Sequence, residues 1–406
     1  MTPWKECGVD CDDLHEEDGI IQRYVHLTRE FEAPTSFHVF ALLTLVAAAL
    51  NRRVFINRKG YALWPNLYVL LHGPSGLGKS IAAGHARDFV FNAAEQDFMV
   101  YPSNMTGEGL ITMMWQQTQD GVPASGFVYA DEMGTLLGGQ DYKAELAKDI
   151  TELYDCKDRH GVLRASSGIR WLEKLYINIL ACSQEDWLRK LPADAVKGGL
   201  FGRILTIPEE EKRHWRYEPN VDKEFAMKLA ADLKERLSRI EGGKIADQTS
   251  HARQFGMDWY YGESKRWEKL HPIVLPWCQR RLDHAIKLGF YNTLLDGDGS
   301  LITDVDGLSW GTKVVEWLTP KIESAFLKMD ESRVGELHRT VQSLIERNGK
   351  RVKEKILRGS LGHKWSASQL DEAIRHLITS GIAIRQELPD ESGRTAWWVI
   401  MVRGVD

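Results

Sequence analysis

The segment Leu67-Tyr68-Val69-Leu70-Leu71-His72-Gly73-Pro74-Ser75-Gly76-Leu77-Gly78-Lys79-Ser80 passes from an apolar run straight into a glycine-rich turn. The run ending at Leu70 and Leu71 predicts a buried strand, and the stretch from Ile81 to Phe91 predicts a helix. Between them lies the spacing of a phosphate-binding P-loop. Glycines at 73, 76 and 78 let the backbone curl until successive N–H groups converge on an anion, with a helix N-terminus behind them. Gly73, Pro74, Ser75, Gly76, Leu77, Gly78, Lys79, Ser80 and Ile81 are therefore the candidate nucleotide-binding residues. Lys79 would carry a cation to the β- and γ-phosphates, and the Ser80 hydroxyl suits Mg²⁺. The cofactors expected are ATP and Mg²⁺.

About fifty residues downstream, Gly126-Phe127-Val128-Tyr129-Ala130-Asp131-Glu132 reads as an apolar strand ending in two acids. This is the Walker B pattern, in which Asp131 would hold the metal and Glu132 would polarise the attacking water. Phe98 to Tyr101 predicts a short strand, Thr106 to Thr118 a helix capped by Thr106, and Lys143 to Tyr154 a further helix. Leu175 to Cys182 predicts a strand ending at Ser183 and Gln184. A fifth strand, Leu200 to Ile207, carries Arg203. Strands alternating with helices argue an α/β fold with a parallel sheet and flanking helices.

Two short strands around Ser166, Ser167 and Gly168 would form a hairpin carrying Arg159, Arg164 and Arg170, which could track phosphates. A solvated surface hairpin accounts for the same composition.

The order of P-loop, Asp-Glu strand, polar strand end and Gly-x-x-x-Arg resembles AAA+ ATPases, particularly the minichromosome-maintenance and superfamily 3 helicases. Pro65-Asn66-Leu67-Tyr68 and Gly199-Leu200-Phe201-Gly202-Arg203 look more closely like the helicase-like, primase-associated ATPases of phages, prophages and mobile elements. The likeness covers roughly residues 20 to 330. It implies that Ser183 is sensor 1, Arg203 an arginine finger acting in trans, and the 157–171 hairpin a channel element. It also implies a helical lid over 275–295 with Arg281 as a sensor 2 arginine. The partners implied are single-stranded or forked DNA, further copies of the chain in a hexameric ring, and a primase.

The divisions expected are a helical lead-in over 1–60, the ATPase core over 61–208, a linker or insertion with the lid over 209–330, and a winged helix-turn-helix over 331–406. The last rests on helices at 336–346, 352–361 and 366–380 followed by strands at 382–388 and 395–402. Arg347, Lys350, Arg351, Lys353, Lys355 and Arg358 crowd its second helix, so Lys353 and Lys355 are candidate nucleic-acid contacts.

The 406 residues, 43% hydrophobic and 27% charged, allow two or three ordinary globular domains. A net charge of −5 argues against a general nucleic-acid coat protein, so contacts must come from local basic patches. The five cysteines are odd in number and scattered, which fits a reducing cytoplasm and no disulfide framework. Cys7 and Cys11, even with His15, do not complete four zinc ligands. Phe37 to Leu50 is too short to span a bilayer, so no membrane partner is expected. The function expected is an ATP-hydrolysing, helicase-like DNA motor. An ATP-switched regulator or defence protein, or a helicase loader, are the alternatives.

Overall fold

A computed structural model describes residues 19–94, 98–137, 141–164, 168–184, 199–240, 242–267, 270, 274–363, 365–379, 381–389 and 394–402. The sequence readings at Cys7, Cys11, His15, Ser166 and Ser167, and the side chain of Arg164, lie outside the described residues. The chain divides into two compact units, Met1–Phe326 and Leu327–Asp406.

The first unit opens with α1 (Ile20–Leu27) and α2 (Thr35–Leu50), then β1 (Val54–Asn57), β2 (Ala62–Leu63) and β3 (Tyr68–His72). The P-loop leads into α3 (Lys79–Ala94), β4 (Val100–Tyr101), α4 (Gly107–Gln119) and β5 (Ser125–Ala130). Next come α5 (Met133–Leu137), α6 (Asp141–Leu153), the strands β6 (Arg159–Arg164) and β7 (Gly168–Glu173), and β8 (Tyr176–Ser183). After them lie α7 (Leu200–Arg203), β9 (Ile204–Pro208), α8 (Lys223–Ser238), β10 (Lys244–Gln248), α9 (Ser250–Trp267), α10 (Leu275–Leu295) and β11 (Ile302–Thr303). Helix α11 (Val305–Arg347) begins in the first unit and ends in the second.

Five strands form the central sheet in the order β4-β5-β8-β3-β9, all parallel. Strands β3 and β8 are buried at every residue, as a parallel sheet covered on both faces requires. Helix α2 packs on α3, β8 and β3, and it is buried from Ser36 to Leu50. Apolar residues surround it on all sides, the mark of a helix enclosed in a core. Among the described residues no helix is long and apolar enough to cross a membrane. Residues 35–50, read as part of a lead-in, thus cover the central sheet.

The stretch read as a linker or insertion is built into this unit. Strand β10 pairs parallel with β1 and with β11 in a second sheet of order β11-β10-β1-β2. Its partner β1 lies almost two hundred residues away, beyond the reach of local periodicity.

The base of β3 is fixed by polar groups. Lys287 of α10, 1% exposed, donates from Nζ to the Asn66 backbone oxygen at 2.8 Å, Asn66 Oδ1 at 2.9 Å and the Tyr154 hydroxyl at 3.0 Å. Asn66 Nδ2 donates in turn to the carbonyls of Tyr154 and Ile177. Leu67 N donates to Asn178 Oδ1, and the Tyr291 hydroxyl to the Pro65 carbonyl at 2.5 Å. The Pro-Asn-Leu-Tyr sequence before the P-loop is therefore a hydrogen-bonding hub. Burial pushes the Lys287 ammonium down to about 8.

The second unit joins the end of α11 to β12 (Arg351–Lys353), α12 (Glu354–Leu361), α13 (Ala367–Thr379), β13 (Ala383–Pro389) and β14 (Thr395–Met401). Its sheet runs β12-β14-β13 and is antiparallel. Val341, Ile345, Leu357, Leu370, Leu377 and Val399 meet in its core. The helix expected from Val352 starts at Glu354, because residues 351–353 extend to pair with β14.

Two buried histidines set an acid limit. His38 packs against the rings of Phe31 and His85, and His284 stacks on Trp277 while donating from Nε2 to the Gly202 carbonyl at 2.8 Å. Burial holds both down to about 3 from an ordinary value of 6.5. Below pH 6.5 the unfolded chain takes up these two protons and the folded chain does not, so stability falls as pH falls. The expected loss is about 1.4 kcal/mol per pH unit for each histidine between 6.5 and 3. Urea unfolding followed from pH 7 to pH 5 checks this: the midpoint should drop, His38→Leu should reduce the slope, and a flat profile in the wild type rules the account out.

Candidate active site

All five parallel strands deliver their C-terminal ends to one edge of the sheet, the edge where open α/β sheets place ligands. Register aligns these ends: His72 faces Ser183 on one side and Pro208 on the other, while Ala130 faces Ala181. Strand β8 therefore lies between the strand that ends in the P-loop and the strand that ends in Asp131 and Glu132.

Within the P-loop the three glycines have different reasons to be glycine. A Cβ on Gly73 would lie 2.2 Å from the Glu209 carbonyl oxygen, and one on Gly78 would lie 2.8 Å from Ala33 Cβ. Gly76 adopts φ +81° with open space around it, a left-handed turn that leaves the backbone accessible. Lys79 opens α3, and its Nζ donates to the carbonyls of Gly73 at 2.7 Å and Pro74 at 2.6 Å. The ammonium is thus folded across its own loop, and burial lowers its proton affinity. Ser80 and Ile81 are exposed at the first turn of the helix. An open, left-handed loop with an exposed hydroxyl and a lysine at its mouth fits a phosphate chain and its divalent cation.

Asp131 and Glu132 are exposed immediately after β5. The Tyr129 hydroxyl donates to Asp131 Oδ1 at 2.5 Å, and burial together with this bond raises the Tyr129 phenol. The thiol of Cys182 connects the two halves of the site. Burial pushes it up to about 12, while the Lys79 charge pulls it down and Asp131 pushes it further up. Lys79 and Asp131 are therefore both within electrostatic reach of one buried side chain on β8. Sequence reasoning missed Cys182, although its place at the end of an apolar strand between two charged motifs was a usable signal.

Strand alternation turns the next residue, Ser183, to the other face. Its hydroxyl donates to the Gln184 carbonyl at 3.0 Å, and the residue is 1% exposed. The sensor position inferred from resemblance is thus occupied by a hydroxyl engaged with its own backbone.

Arg203 is not inside a strand as expected. Residues 200–203 form the short helix α7, and β9 starts one residue later. Gly202 sits where a Cβ would lie 2.3 Å from the Pro276 carbonyl oxygen, so α7 lies close against the start of α10. The Arg203 guanidinium donates to the Gly199 carbonyl at 3.1 Å and pairs with Asp155 at 3.4 Å. Ile204 faces Tyr68 at the root of β3, so Arg203 stands at the end of the sheet opposite the P-loop. A strand of this length separates them by about 15 Å, too far for Arg203 to reach the P-loop of its own chain.

Arg281 corrects a second expectation. It is 2% exposed, pairs with Glu263 at 3.0 Å, and lies between the rings of Trp259 and Trp267 at 5.6 and 5.5 Å. Its guanidinium is a structural tie between α9 and α10.

The hairpin of β6 and β7 forms as expected, with Leu163 facing Ile169 and Gly161 facing Trp171. Its two faces differ. Arg170 pairs with Glu108 at 2.9 Å and lies over Trp115 of α4, so one of the three arginines is neutralised. On the other face Arg159 lies 4.3 Å from the Trp171 ring, which covers Gly161, and Leu163 and Ile169 are 71% and 60% exposed.

In the second unit Lys355 is exposed on α12, while Lys353 ends β12 and, with Arg351, lies 5.5 Å from the Trp398 ring. Arg358 and Arg385 both bind Glu354, and Arg358 also binds Asp371. The positive helix expected from sequence is thus partly neutralised, and Arg351 and Lys353 belong to a strand.

Among the described residues no group of three or more His, Cys, Asp or Glu is arranged to hold a metal by itself. Comparison with protein-family models and with curated proteins finds no match to the chain.

The glycine geometry gives separable expectations. Gly73→Ala should displace the Glu209 segment and lower the melting temperature clearly, whereas Gly76→Ala should cost only about 1 kcal/mol of backbone strain. Calorimetry of the two variants checks this, and equal melting temperatures would contradict the assigned contacts.

Proposed function

We propose that this chain is an AAA+-like ATPase, working as a ring of identical copies, that couples ATP hydrolysis to movement or remodelling of DNA. The observation that carries the reading is the convergence of Lys79 and the Asp131-Glu132 pair on one sheet edge, with β8 between them. Lys79 would exchange its own loop carbonyls for phosphate oxygens. Mg²⁺, held by Ser80 and Asp131 when bound, supplies charge neutralisation to the phosphates. The Glu132 carboxylate would orient the attacking water. Arg203, standing at the far end of the sheet, supports a role toward a neighbouring copy's site once it leaves Asp155.

The DNA part rests on the sequence resemblance and on two surfaces. The hairpin face of Arg159, Trp171, Leu163 and Ile169 offers a cation and stacking surface for unpaired bases. The second unit has the element order of a winged helix, and Arg351, Lys353 and Lys355 supply its positive charge. A primase and a phage or mobile-element setting follow from resemblance alone. The ATP-switched regulator remains the second reading, favoured by the exposed Leu163 and Ile169 on the hairpin strands, which would also suit a protein partner.

Two measurements test this. Glu132→Gln should bind ATP and hydrolyse it at least a hundredfold more slowly, and Lys79→Ala should lose binding. Wild-type turnover in Glu132→Gln would sink the Walker B assignment.

For the DNA surface, Trp171→Ala with Arg159→Ala should weaken single-stranded DNA binding by roughly tenfold while leaving ATP binding intact. An unchanged affinity across a salt series would assign the hairpin to protein contact instead.

A further inference from the structure

We infer that Lys321, on α11, is a second phosphate-binding cation of the nucleotide site, held beside the P-loop by Glu209 until a polyphosphate competes for it. The inference rests on the nucleotide-binding reading above and adds to it a residue that no sequence motif marks.

The placement follows from the end of β9. Pro208 faces His72, the residue before Gly73, and Glu209 N donates to the His72 carbonyl at 3.0 Å. The Glu209 carbonyl oxygen then lies where a side chain on Gly73 would begin. Glu209 is therefore packed against the first residue of the phosphate cradle. Its carboxylate takes the Lys321 ammonium at 2.7 Å, and the same ammonium reaches the Pro208 carbonyl at 3.4 Å. A cation from a distant helix is thus bound to the residue whose backbone packs against Gly73.

Three features make the pair exchangeable. The other Glu209 oxygen accepts the Ser36 hydroxyl at 2.7 Å, so departure of Lys321 does not strand a buried carboxylate. Lys321 is about a third exposed, with its ammonium 4.2 Å from the Trp317 ring, and its flexible four-carbon stem can turn without moving the backbone. Finally, a triphosphate carries several negative charges against the single charge of Glu209, and Coulomb attraction favours the larger charge at equal distance. Arg281, tied to Glu263, leaves this role open.

Equilibrium binding of a non-hydrolysable ATP analogue to the full chain provides the test. Lys321→Met should weaken binding about tenfold, the effect of one lost charge-assisted hydrogen bond. Lys321→Arg should retain most of it. Glu209→Gln, which keeps an oxygen for Ser36, should tighten binding several-fold, and the double variant should behave as Lys321→Met. A clasp of purely structural value predicts that both single variants weaken binding, since either breaks the pair; that result, or an unchanged affinity in a folded Lys321→Met, overturns the inference. Failure of the folded wild type to bind the analogue would overturn the ATPase reading itself, and this inference with it.

Discussion

One ammonium group enclosed at the root of the sheet, that of Lys287, settles where the P-loop strand begins. Enclosing a charge without water is costly, and the structure offsets that cost with three oxygen acceptors and the face of Tyr154. Two of the acceptors belong to Asn66, whose amide then reaches the carbonyl just after α6 and one at the start of β8. A single residue thus ties a helix near 287, a turn near 154 and two strands into one frame. Because the hub closes β3 at its start, the register of β3 against β8 and β9 is fixed there, and every C-terminal strand end inherits its level.

The edge that carries the P-loop and the Asp131-Glu132 pair is the consequence of that frame. Phosphate chemistry needs a cradle, an acid pair and some polar group between them, and a parallel sheet supplies these as successive strand ends. The strand between cradle and acids sets their spacing without either touching the other. Its last residues alternate across the sheet, so the thiol of Cys182 and the hydroxyl of Ser183 cannot both face the same partner.

Local features were legible in sequence, because their causes are local. The P-loop glycines, the Thr106 cap, whose hydroxyl oxygen accepts Gly109 N at 3.1 Å, and the pairing of β6 with β7 depend on neighbours a few residues away. Features set by remote partners were not. Arg281 looks like any helical arginine until Glu263 and two tryptophans close over it. Residues 200–203 read as strand because an apolar run does not reveal its period, and only the close approach of Pro276 to Gly202 shows why the chain coils there. Lys353 was placed on a helix because its pairing with Trp398 spans 45 residues. The same limit hid the partnership of β1 and β10.

The buried thiols give this protein a built-in reporter. Attack on a thiol reagent requires the thiolate, and burial pushes the Cys182 thiol well above its ordinary value, which disfavours that form at neutral pH. Cys182 therefore reacts only when the middle of the sheet opens far enough to admit water. Because its side chain lies within the fields of both Lys79 and Asp131, its labelling rate measures breathing of the sheet edge between those two charges, and a ligand that bridges them would register as slower alkylation without any added probe.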